Sequence, residues 1–191
     1  MESTVVKTED QVNGSARPYL QHRLLFNDEI PDWYSQTHIY HGYRPIKNSI
    51  GFCLRSLTYL HNETVNIYSH LLPAILVIVL SALVAIYFES MYPRASRSDR
   101  LIFYVYLATS AICFSISSFY HTLLCHSKHY SEIWVRLDYI AILFQILGSF
   151  VSGIYVGFYC EANLRTIYWS MVRVLGRKYL CPRLLLTEGL R

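Results

Sequence analysis

Ser117-Ser-Phe-Tyr-His121-Thr-Leu-Leu-Cys125-His126-Ser-Lys-His129-Tyr-Ser-Glu-Ile-Trp-Val-Arg136-Leu-Asp138 lies between two long uncharged stretches. It sets a hydroxyl, an imidazole and a carboxylate at their apolar margins. Ionisable groups at the edge of a membrane-spanning helix are costly to bury, which makes them functional candidates. Working outward, Asp, Glu, Lys and Arg are absent from 64–88, 101–127 and 139–160. A spanning helix needs about 20 mostly apolar residues, so each stretch is long enough. Only 16% of the 191 residues are charged and 53% are hydrophobic, where a soluble domain carries about a quarter charged. The fold class that follows is all-α, a multi-pass bundle of membrane helices.

The first helix is predicted over about Val65–Phe88, the second over Leu101–Cys125 and the third over Leu137–Tyr159. Pro73 falls near the entry of the first, where a missing N–H does least harm. Gly153 and Gly157 are four apart on the third, a spacing that lets neighbouring backbones approach. Thr166–Val172 begins a fourth apolar run. Arg173, Arg177, Lys178 and Pro182 stop it, so it reads as a stub too short to cross.

The remaining segments divide by composition. Residues 1–17 read as a disordered tail. Residues 18–62 hold an aromatic segment (Trp33, Tyr34, Tyr40 and Tyr43), which reads as irregular chain on the membrane surface or the helix ends. Within them, Ile50, Leu54, Leu57 and Leu60 recur at helical spacing. That stripe suits a helix lying in the interface plane or packed on the protein. Residues 63–172 form a partial bundle, and 173–191 an atypical tail. The early residues contain no apolar run of signal-peptide type. Five cysteines with no CxxC pair argue against a disulfide framework or a zinc ribbon. The net charge of +4 is scattered, so no nucleic-acid partner is expected.

Short connections force the helices to alternate in direction. The start of the first, the end of the second and the start of the third then share one side. Those ends carry Glu63, Asn66, Ser69 and His70; Ser117 and His121; and Asp138. At 3.6 residues per turn, Glu63 and His70 align, and Ser117 and His121 share a face. Neutral imidazole is the commonest metal ligand, and a carboxylate beside a metal-bound water can act as general base. Each residue also has a plainer role: a histidine as interfacial hydrogen-bonder, an aspartate as cap, an asparagine or serine as helix–helix glue. A competing metal set is His121, Cys125, His126 and His129.

At these residues the chain resembles the progestin and adiponectin receptor family, which includes the hemolysin III proteins and the fungal Izh proteins. The matching text is His61-Asn-Glu63-Thr-Val-Asn66-Ile-Tyr-Ser69-His70, Ser117-Ser-Phe-Tyr-His121 and Arg136-Leu-Asp138-Tyr139. Leu25-Phe-Asn-Asp-Glu-Ile-Pro31-Asp-Trp33 and Gly42-Tyr43-Arg44-Pro45 add to it. The wording is nearest the fungal Izh-type branch. The resemblance implies seven membrane helices with a cytosolic N-terminus, although the loop arginines Arg94, Arg97 and Arg100 do not favour that side. It implies zinc held by three histidines, with His121 matching the first. Asp138 matches the carboxylate beside the zinc-bound water and Ser117 the serine of the same motif. Glu63, Asn66 and His70 stand as a structural polar cluster. The other two ligands belong to an His-x3-His motif, and no histidine follows His129. The zinc site is therefore incomplete in this chain, as in a C-terminally truncated member. Implied functions are a receptor-like role in lipid and zinc homeostasis or, in a full-length form, ceramidase-like hydrolysis of a lipid amide. A nonfunctional fragment is the third reading. Membrane lipids are the expected partners, in the plasma membrane or an endomembrane.

Overall fold

The computed structural model describes residues 23–185. The tail expected over 1–17 lies outside them, as do the last six residues. Two short strands, β1 (Leu25–Phe26) and β2 (His41–Tyr43), pair antiparallel, with Leu25 opposite Tyr43 and Phe26 opposite His41. A six-residue helix, α1 (Ile50–Arg55), runs into a 3-10 turn, Ser56–Thr58. Four long helices follow: α2 (Thr64–Met91), α3 (Arg97–Leu123), α4 (Lys128–Gly157) and α5 (Ala162–Leu185). α3 packs against both α2 and α4, and α4 also packs against α5. Among the described residues, α2, α3 and α4 are long and apolar enough to cross a membrane. Exposed Leu72, Ile75, Leu76 and Ile86 on α2 suit a helix solvated by lipid or by further helices.

Helix limits depart from the apolar runs because charge stops membrane burial without stopping a helix. α3 begins at Arg97, four residues before the predicted Leu101. Ser96 Oγ accepts from Asp99 N at 3.2 Å, and Asp99 Oδ2 accepts from Ser96 N at 2.7 Å. That reciprocal pair is a capping box. α4 begins at Lys128 rather than Leu137, capped by Ser127 Oγ accepting from Tyr130 N at 3.4 Å. The supposed loop 126–136 is thus mostly helix. α5 continues as a helix over 24 residues, since Arg and Lys are good helix formers, but it is not among the helices apolar enough to cross a membrane. Pro73 sits inside α2 beyond its first turn, so its missing N–H is not at the entry. The predicted apolar stripe is not packed on the protein along most of its length. Ile50 and Leu54 are about half exposed and Leu60 is 80% exposed, while Cys53 and Ser56 are wholly buried. The small polar face of α1 packs inward instead.

Close approach occurs at a different glycine from those expected. A methyl group on Gly148 would meet Thr109 Oγ1 at 2.3 Å, whereas Gly153 and Gly157 face open space. Gly148 is the residue that lets α4 pack on α3. The N-terminal segment has its own tight point at Gly42, with φ +102° and its carbonyl accepting from Asn62 N at 2.9 Å. The buried cluster of Ile30, Tyr34, Tyr43, Cys53, Leu123, Leu124 and Cys125 joins that segment and α1 to the end of α3.

Candidate functional site

The end of α3 carries His121 in its last turn. Glu63 precedes the first residue of α2, with its side chain wholly buried. His121 Nδ1 lies 2.8 Å from Glu63 Oε2. Asn66 Nδ2 donates to the same oxygen at 2.8 Å, and Asn62 Nδ2 donates to Oε1 at 3.1 Å. Gln36 Nε2, from the N-terminal segment, also donates to Oε1. Burial pushes the Glu63 carboxyl up, but hydrogen bonds from His121, Asn66 and Gln36 outweigh it and hold it below its ordinary value. Glu63 N donates to His61 Nδ1 at 3.1 Å. Burial, then the nearby Arg44 charge, lower His61 to about 4, so that nitrogen stays free to accept.

His70 lies two turns along α2, its ring stacked on His121 at 5.8 Å between centroids and 7° between planes. Asp138 is about three turns inside α4 rather than at its start, and lies within electrostatic reach of His70. His70 Nδ1 and Asp138 Oδ1 are both buried without a hydrogen-bond partner. Buried polar atoms are normally paired with protein groups or ordered water. Ser117 is buried one turn before His121 on α3. Ser69 is exposed and spends its hydroxyl on Asn66 O at 3.0 Å, so it stands apart from the cluster.

The competing set does not assemble. Cys125 Sγ lies 3.5 Å from Cys53 Sγ inside the apolar cluster, and both thiols are free. His126 stacks on Tyr130 and pairs with Ser127 Oγ at 3.2 Å. Among the described residues, no three His, Cys, Asp or Glu side chains are close enough to hold a metal ion.

Arg44 emerges from the structure with more weight than its sequence context suggested. It is wholly buried. NH1 donates to Ser56 Oγ at 2.8 Å and Thr122 O at 2.9 Å, and NH2 donates to His121 O at 2.7 Å. One guanidinium thus caps the carbonyls at the end of α3 and ties them to the 3-10 turn. The sequence signal was an arginine within an aromatic, proline-punctuated segment, but nothing in the spacing pointed it at His121. The far end of the bundle also has polar structure. Tyr155 OH donates to Asp99 Oδ1 at 2.6 Å, and Arg165 lies over the Tyr155 ring.

Residues 58–178 match the family described as Haemolysin-III related. The chain belongs to that family. Among relatives of this haemolysin-III type, human Progestin and adipoQ receptor family member 3 is 38% identical over 76% of the chain and 47% of its own length. The Drosophila melanogaster Adiponectin receptor protein is 36% identical over 77% of the chain and 33% of its own length. ADIPOR-like receptor IZH1 of Eremothecium gossypii is 35% identical over 72% of the chain and 44% of its own length. The chain thus spans a third to a half of these relatives. Family membership and three apolar helices make it an integral membrane protein.

Proposed function

We propose that this haemolysin-III related chain contributes to lipid and zinc homeostasis, and that the polar end of α2, α3 and α4 supplies part of a zinc site. The observations that carry the reading are two buried atoms without a partner, His70 Nδ1 and Asp138 Oδ1, and the stacking of the His70 ring on a His121 ring held at Nδ1. The donor set fits zinc in kind: neutral imidazole and carboxylate. It falls short in number among the described residues, so in this reading His121 would be one ligand of a larger set. Zinc, when bound, would lower the pKa of a coordinated water. In this reading Asp138 would be the carboxylate that serves as general base, and Ser117 the hydroxyl that hydrogen-bonds a ligand or substrate group.

A second reading, ceramidase-like hydrolysis of a lipid amide in a full-length form, would use as its base Asp138, whose Oδ1 is buried with nothing donating to it. Metal content after purification in zinc-containing buffer tests the first reading. With its ligand set incomplete the wild-type chain should take up zinc only weakly, and His121→Ala should abolish that uptake; equal uptake by the two would contradict the site. Ceramide turnover tests the second. Asp138→Asn should lower it by at least about 100-fold, and equal turnover would remove Asp138 from catalysis.

A further inference from the structure

We propose that Glu63 is a positioning residue that fixes the His121 ring in its Nδ1–H tautomer, and that Gln36 and Arg44 of the N-terminal segment hold this pair in register. The inference deepens the zinc reading and rests on it for its purpose, though not for its geometry. An ionised carboxylate only accepts hydrogen bonds and has about four acceptor positions. At Glu63 three contacts come from amide NH2 groups: Gln36 and Asn62 on Oε1, Asn66 on Oε2. The fourth is His121 Nδ1 at 2.8 Å from Oε2. Each amide brings its own hydrogen, so the imidazole must bring one too, and it sits on Nδ1. Nε2 then keeps the lone pair, which a metal or a proton can take. A carboxylate behind the ring also raises the basicity of the far nitrogen and fixes the ring plane.

The backbone is held as well as the ring. Arg44 NH2 reaches His121 O and NH1 reaches Thr122 O, so the last turn of α3 cannot unwind without breaking charge-assisted hydrogen bonds. The stacked His70 ring closes one face. Gln36 and Arg44 both precede the first membrane helix. The segment before the membrane is therefore a working part of the site.

The test is ring-nitrogen NMR on the full chain, labelled with 15N-histidine and reconstituted in bilayers. Wild type should show His121 with hydrogen on Nδ1. Glu63→Gln keeps a carbonyl acceptor and should preserve that tautomer, whereas Glu63→Leu should shift His121 toward Nε2–H. Added zinc should move the His121 Nε2 resonance, and zinc affinity should fall by about 10–100-fold in Glu63→Leu but only a few-fold in Glu63→Gln. Nε2–H in wild type would overturn the proposal, as would an unchanged tautomer in a folded Glu63→Leu. Should Glu63→Leu fail to fold, wild type and Glu63→Gln decide alone. A wild-type Nδ1–H ring indifferent to zinc at any concentration would support the positioning role and contradict the use of His121 as a zinc ligand in this chain.

Discussion

His61 shows how one side chain ties the segment before the membrane to the site. Its Nδ1 accepts from Glu63 N, a bond that protonation at Nδ1 would abolish. The folded value of about 4 lies below the ordinary 6.5, so the unfolded chain takes up the proton first. The contribution is complete above about pH 6.5 and is lost as pH falls toward 4. The ring is only partly buried, and solvent screening cuts the effect to about 1–2 kcal/mol. Thermal unfolding in detergent should lose more stability between pH 6.5 and 4 in wild type than in His61→Gln; coincident pH curves would contradict this. At this scale the sequence was informative about residue type and spacing. Glu63, His70, His121 and Asp138 were all visible as polar groups at apolar margins. Gln36 and Arg44 were not, because their contacts with Glu63 and His121 span 27 and 77 residues, and no local pattern encodes that.

Among the helices, α3 and α4 depend on Gly148. Its missing side chain makes room for Thr109, whose hydroxyl bonds back to Val105 O and Tyr106 O at 3.1 Å. Gly148→Ala forces Thr109 or the helix to move and should cost about 1–3 kcal/mol. Thr109→Ala in the same chain should recover part of it. Unfolding midpoints of the two variants check this, while Gly153→Ala, which meets open space, should be nearly silent. Helix existence was legible because uncharged runs of this length have few alternatives. Helix limits were less so. The Ser96-to-Asp99 capping signature was present in the text, yet an apolarity criterion passes over it. The nine residues from Lys128 to Arg136 are helical because Ser127 caps them, although their charges end the apolar run. Gly153 and Gly157 had the spacing of a packing face, but nothing in one sequence shows which face meets a neighbour.

Across the molecule, one polar end gathers three helices and the segment before them. Arg44 joins these parts, so Arg44→Met should act beyond its own position. It leaves Ser56 Oγ, Thr122 O and His121 O without their donor, and should cost at least about 3 kcal/mol. Limited proteolysis of the reconstituted chain should then cut within residues 25–46 faster than in wild type. Equal cutting rates would show that the segment is held independently of Arg44. Short loops put these helix ends on one side, and Glu63, His70 and His121 meet there, whereas Asp138 lies well inside α4. α3 and α4 turn back on each other through four residues, 124–127, so their facing ends share a side whatever their limits.

The most direct test of this arrangement is a dipolar-recoupling distance between 15N at His121 Nδ1 and 13C at the Glu63 carboxyl, measured in bilayers. The account predicts strong dephasing at hydrogen-bond range, under about 4 Å from nitrogen to carboxyl carbon. No measurable coupling between the two would contradict it.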